Sequence, residues 1–254
     1  MSLLRSLSLV CSLATGLVAR GDVPCITLAG SSTVTRVLLP LRAGVEANHG
    51  VELRLQPTGS GRGLLALAKG EADAAMLSGP VDFLLARIEA DGLASLSLEQ
   101  LEKLKLADTA KAEVVALIHP TNPVRRLSAG QLQALLTGEI SNWKDCGGID
   151  LPVQVIIPDE LDGVRATVAT TLMAGRPFTT TAVVVMRTPE IVPLVAAKAG
   201  AVGLLPRSTL SSDSVWVEIE PKLSVELFIV ARKDRLEQNP KLEMVLNSLH
   251  SRAR

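Results

Sequence analysis

Short apolar runs alternate with stretches of helical periodicity along most of the chain, separated by loops rich in Gly and Ser. Ile26 to Ala29 reads as an apolar strand, followed by the loop Gly30-Ser31-Ser32-Thr33 and a helical pattern from Val34 to Ala47 that stops at Asn48-His49-Gly50. Val51 to Gln56 alternates apolar and polar positions, as a half-buried strand does. The loop Pro57-Thr58-Gly59-Ser60-Gly61 then leads into a helix from Arg62 to Lys69, ended by Gly70. Ala72 to Leu77 is a third strand, turned away by Ser78-Gly79-Pro80. This strand-loop-helix rhythm predicts an α/β fold with a mostly parallel sheet.

Helix-like patterns cover Val81 to Ala90 and Leu98 to Leu106, and the apolar run Val114 to Ile118 exits through His119-Pro120-Thr121-Asn122-Pro123, which suits a hinge. Ser128 can cap a helix from Ala129 to Leu136 that Thr137-Gly138 stops. Val153 to Ile157 and Ala182 to Met186 read as strands, and Thr188-Pro189-Glu190 opens a helix from Ile191 to Ala199 with Pro in its first turn. Val202 to Leu205, Val215 to Ile219 and Ser224 to Ala231 are later strands, and Lys241 to Leu249 is a closing helix. A second lobe is expected to start near Pro120.

Composition narrows the function. With 47% apolar residues the chain can bury a sizeable core, and a formal net charge of zero with dispersed Lys and Arg offers no basic face for nucleic acid. The absence of Tyr removes stacking residues that single-strand and many sugar sites use, so a small polar or charged ligand fits better. At the start, Arg5, the apolar run Leu7 to Val18 and the small-residue stretch Ala19-Arg20-Gly21 read as a signal peptide over residues 1–21, which implies a periplasmic or secreted protein. An uncleaved anchor is the alternative, although the run is shorter than the roughly 20 residues that span a bilayer. Cys25 and Cys146 would remain, as a disulfide or as two separate thiols. His49, His119 and His250 are isolated, so neither a metal nor another cofactor is expected. No Ser-His-Asp order, nucleophile elbow or Cys-His pair is found, which favours binding over catalysis.

Three strand-to-helix loops carry candidate ligand chemistry: Ser31, Ser32 and Thr33; Gly59, Ser60, Gly61 and Arg62; and Asp162, Gly163 and Arg165. Ser78 joins them at the end of the third strand. Free N–H groups and hydroxyls at helix starts attract anions, and open α/β sheets gather such loops beyond the carboxyl ends of their strands. Any one of these residues alone reads equally well as an ordinary helix cap, Asp162 above all.

The order of the loops resembles the phosphate-type substrate-binding proteins of ABC transporters. The resemblance rests on Gly30-Ser31-Ser32-Thr33-Val34, Gly59-Ser60-Gly61, the run Gly70 to Ser78, Asn122-Pro123-Val124 and Ala201 to Pro206. Its most specific part runs from Leu127-Ser128 through Thr137-Gly138-Glu139-Ile140-Ser141-Asn142-Trp143, with Trp143 expected to anchor a loop and Asp73 to fix a strand start. It implies a periplasmic binding protein of type II, with two α/β lobes, residues 26–118 with 222–254 and residues 119–221, joined by the hinge strands Val114 to Ile118 and Ser224 to Ala231, and a ligand cleft between them. The implied activity is monomeric capture of a small oxyanion, phosphate or a relative, for ABC transporter membrane subunits or a sensor protein. In that family an Arg followed by Gly-Ser-Gly-Thr completes the phosphate site, whereas this chain has Pro158 at the Arg position and Asp162-Gly163-Val164 in place of Ser-Gly-Thr. Arg62 or Arg165 could supply the missing charge by swinging inward, or both could face solvent. A degenerate relative that binds a protein partner and an enzyme on the same fold stand as the alternatives.

Overall fold

In a computed structural model of the chain, which describes residues 23–106 and 111–253, the apolar runs become strands of one curled sheet. The signal-like segment 1–21 lies outside the described residues. The first wing follows the predicted rhythm: β1 (Cys25–Gly30), α1 (Ser32–Leu38), α2 (Arg42–His49), β2 (Glu52–Gln56), α3 (Ser60–Lys69), β3 (Ala74–Ser78), α4 (Val81–Ala90) and β4 (Leu101–Lys105). β5 (Lys111–Ile118) leads to the second wing, made of β6 (Arg126–Ser128), α5 (Ala129–Thr137), β7 (Gln154–Pro158), α6 (Gly163–Thr171), β8 (Val183–Val185), α7 (Ile191–Ala196), β9 (Ala201–Pro206) and β10 (Trp216–Glu220). β11 (Leu223–Arg232) returns the chain to the first wing, where α8 (Lys233–Gln238) and α9 (Pro240–Arg252) end it.

The strand order is β2-β1-β3-β11-β5-β9-β7-β8, with β4 added on β11, β10 on β5 and β6 on β10. β11 belongs to both wings: Leu223–Glu226 pair with Val114–Lys111 of β5, and Leu227–Val230 pair with Ser78–Ala75 of β3. The result is two α/β lobes joined by crossing strands, with a cleft between the ends of β1 and β3 on one side and β7 on the other. Helices cover the parallel strands, which is why β3 is apolar from Ala74 to Leu77 and buried at every position. One core cluster, including Leu28, Leu53, Met76, Val202 and Leu246, runs through both lobes; Leu64, Leu84 and Ile88 seal α3 and α4, and Ile156, Ile191 and Val195 seal α7.

The structure corrects three expectations. Parallel pairing is confined to β2-β1-β3, β9-β7-β8 and β6-β10, because β11 and β5 cross between lobes against their neighbours' direction. The helix expected over Val34 to Ala47 is two helices separated by a 3-10 turn, Leu39–Leu41, at Pro40, whose ring blocks a continuous hydrogen-bond ladder. Leu98 to Leu106 is not a helix: the capping box of Ser97 and Gln100 supports one 3-10 turn, and Leu101–Lys105 then pair with β11. A sheet edge needing a partner overrides the local pattern there.

Other expectations hold. Ser128 caps α5 in a box with Gln131 and Gly138 ends it in the left-handed conformation. Trp143 is fully buried with its Nε1–H on the Gly200 carbonyl at 2.9 Å, and the Asp73 carboxylate accepts from the Thr27 N–H at 2.8 Å. Cys25, exposed, and Cys146, half-buried, are separate thiols. Among the described residues no helix is long and apolar enough to cross a membrane.

Candidate functional site

The carboxyl ends of β1, β2 and β3 bring three serines together. Ser31 caps α1, its Oγ accepting from the Val34 N–H, and its hydroxyl donates to Ser78 Oγ at 3.2 Å. Ser60, in the first turn of α3, lies 3.2 Å from the same Ser78 hydroxyl and accepts from the Ser78 N–H at 3.1 Å. All three are buried, so the first lobe presents a connected set of neutral hydroxyls with Ser78 at its centre. Ser32 and buried Thr33 stand beside them.

The facing wall comes from the second lobe. Asp162 caps α6: its Oδ1 accepts from the N–H groups of Val164 and Arg165 at 2.8 and 3.3 Å, and its Oδ2 accepts from the Thr188 hydroxyl at 2.7 Å. An external anion at the start of α6 would seek those same two N–H groups, so the chain's own carboxylate already occupies them. Burial pushes the Asp162 carboxyl above the usual range, against the pull of the Thr188, Val164 and Arg165 hydrogen bonds, and nearby Asp159 adds to the rise.

Between these walls lies a cavity of about 110 Å³ lined by Ser31, Ser32, Thr33, Pro57, Gly59, Ser60, Ser78, Asp162, Val164, Arg187, Thr188 and Pro189. It is far smaller than the roughly 300–1,000 Å³ of sites for drug-sized molecules. The lobes meet directly around it. The Gly61 N–H donates to the Leu161 carbonyl at 2.8 Å, Arg62 pairs with Asp159, and Arg87 of α4 pairs with Glu160. A Cβ on Gly163 would lie 1.7 Å from the Ser78 carbonyl oxygen, so only glycine lets α6 approach the end of β3 this closely.

Of the residues singled out in the sequence, Ser31, Ser32, Thr33, Gly59, Ser60, Ser78 and Asp162 line the cavity, while Gly61 and Gly163 form the contact between the lobes beside it. Arg62 and Arg165 lie outside. Arg62 spends one terminal nitrogen on Asp159 and the other on the Met186 carbonyl. Arg165 leans back over its own loop, donating to the Pro158 carbonyl at 3.0 Å and to Glu160 at 3.3 Å, with its guanidinium 5.1 Å from the Phe178 ring centre. Sequence reasoning did not single out Arg187 and Thr188, which follow β8. The rule that ligands gather beyond strand carboxyl ends, applied to Ala182 to Met186, would have pointed to them.

Residues 16–238 match the PBP superfamily domain. The chain belongs to the PBP superfamily. This PBP member is 26% identical over 191 residues to the phosphate-binding protein PstS of Bacillus subtilis, an alignment that takes in 75% of the chain but spans only 59% of that relative's length. Among solved structures, a putative phosphate ABC transporter substrate-binding protein from Clostridium perfringens, with bound phosphate, superposes with a TM-score of 0.74 at 19% identity, covering 89% of this chain and 92% of that one. An ABC-type phosphate transport receptor from Vibrio cholerae gives 0.64 at 24% identity, with 88% and 93% covered. At these identities the solved structures establish the shared fold of the PBP member, while its ligand is a question for its own cavity.

Proposed function

We propose that this PBP member is an exported, non-catalytic binding protein that closes its two lobes, residues 26–118 with 222–254 and residues 119–221, on one small oxyanion and presents the closed form to an ABC transporter or a sensor protein. The observation that carries this reading is the hydroxyl cluster of Ser31, Ser60 and Ser78 in a small cavity where the lobes meet. Hydroxyls donate to an anion while remaining neutral, which suits a site that must both take up and release its ligand. The low-identity likeness to phosphate-binding relatives supports the same ligand class.

One observation favours a second reading, a relative that acts through a protein partner. Pro158 stands where the phosphate-binding family has an Arg, and Asp162 holds the N–H groups at the start of α6. A thermal-shift screen of protein stripped of ligand by unfolding and refolding separates the two. With inorganic phosphate, sulfate, molybdate and methylphosphonate each at about a hundredfold excess over Kd, a bound anion adds about 2.7 kcal/mol, or roughly 5–10 °C for a protein of this size. A rise with one class of anion is expected, and no rise with any of them up to millimolar concentration contradicts oxyanion capture and favours the partner-binding reading.

A further inference from the structure

We infer that Arg187 is the residue that supplies the counter-charge to the bound oxyanion, from the loop after β8 rather than from the loop after β7. The inference rests on the oxyanion reading above and names the side chain that completes that site. Four arginines stand near the cleft: Arg87 is paired with Asp91 and Glu160, and the hydrogen bonds of the other three distinguish them. Arg62 has both terminal nitrogens committed, to Asp159 and to the Met186 carbonyl, and Arg165 has both committed, to the Pro158 carbonyl and Glu160. Moving either into the cavity would break two existing contacts, and moving Arg62 would also leave Asp159 without its cation.

Arg187 differs on both counts. It is the one Lys or Arg among the residues that line the cavity. Only its Nε is engaged, donating to Glu190 Oε1 at 2.9 Å, and among the described residues no protein group takes a hydrogen bond from its two terminal nitrogens. The planar fork that grips an oxyanion with two parallel hydrogen bonds is therefore free, while Glu190 holds the stem of the group in place. Thr188, the next residue, is buried and tied to Asp162, which fixes this loop to the wall of the cavity. The side chain is still 59% exposed, as a group at the mouth of a cleft would be before a ligand draws it in.

Charge placement gives the reason for the relocation. The loop after β7 carries Asp159, Glu160 and Asp162, so a cation placed there meets three carboxylates, whereas Arg187 is paired with one, Glu190. Arg187 lines the cavity from the loop after β8, and its carboxylate partner, Glu190, is on the Nε side of the guanidinium, away from the fork.

The test is calorimetric titration of the refolded chain with inorganic phosphate, sulfate and methylphosphonate, each run on the wild type, Arg187→Gln, Arg187→Lys, Glu190→Gln and Arg62→Gln, with circular dichroism as a check on folding. Loss of two charge-assisted hydrogen bonds predicts binding weaker by about tenfold or more in Arg187→Gln, with partial recovery in Arg187→Lys. Glu190→Gln, which keeps an oxygen on the Nε–H while removing a negative charge beside the fork, is expected to bind more tightly, and Arg62→Gln, which removes a contact between the lobes rather than one to the anion, is expected to lose less affinity than Arg187→Gln. Wild-type affinity in a folded Arg187→Gln overturns the inference while leaving the oxyanion reading intact, as does a loss confined to Arg62→Gln. Absence of binding by the wild type overturns the oxyanion reading and the inference with it.

Discussion

The two walls of the cavity are built in opposite ways. The first-lobe wall is made of neutral hydroxyls on the loops after β1, β2 and β3, linked to one another through Ser78 and free of formal charge. The second-lobe wall is charged and internally compensated: Asp162 takes the N–H groups of α6, Thr188 donates to Asp162, and Arg187 stands at the rim with Glu190. Under the proposed function, the first wall would hold a small group rich in hydrogen-bonding oxygens, and the second would set how much charge that group carries. A buried carboxylate next to an oxyanion costs more than the ~1 kcal/mol of two unit charges at 4 Å in water, because the surroundings screen less.

The contact between the walls gives the largest expected effect. Gly163→Ala places a methyl group against the Ser78 carbonyl, at a helical position whose backbone conformation alanine adopts without strain. The expected outcome is a folded protein that cannot close, with a larger radius of gyration by small-angle scattering and anion affinity reduced about a hundredfold or more, since the lost contacts span the whole cleft. An Ala variant that closes and binds as the wild type does would remove the glycine contact from the account.

A smaller effect is expected from erasing the difference in charge. Asp162→Asn keeps an oxygen to accept from Val164 and Arg165, so the cap on α6 survives while the negative charge goes. Anion affinity at neutral pH should rise about tenfold. The pH dependence follows from the raised carboxyl of Asp162. Its native value lies above its unfolded one, so the stability it contributes is complete below the ordinary carboxylate range and is lost as pH rises through the raised native value. Wild-type binding of sulfate, which keeps its charge over this range, should therefore strengthen as pH falls through that value, and Asp162→Asn should abolish the trend. Parallel profiles for the two proteins would show that Asp162 does not titrate against the ligand.

The difference between the walls also explains what could be read in the sequence. The hydroxyl wall was legible because each of its loops joins a strand to the helix that follows, so Ser31 and Ser60 carry their address in the local order of Gly, Ser and helical pattern. The second wall was legible only in Asp162, whose capping role is local in the same sense. Arg187 and Thr188 reach the cavity because β8 pairs with β7 and brings the loop after it alongside α6, a relation between segments far apart in the chain. The fates of Arg62 and Arg165 were equally hidden, since a long side chain goes to its best partners, here Asp159 and Glu160 on the loop after β7. In the fold, β4 escaped for a related reason: its pairing with β11 depends on a strand that arrives more than a hundred residues later.

The proposed function requires the cavity between the lobes to take a single small oxyanion through its hydroxyl wall. Its most direct test is a calorimetric titration of the refolded wild type and a Ser78→Ala variant with inorganic phosphate. One site per chain is expected in the wild type, with binding weakened by about tenfold in Ser78→Ala, the change that follows when a buried hydroxyl that organises two others is lost. Equal binding by the two proteins, or more than one site per chain, would contradict it.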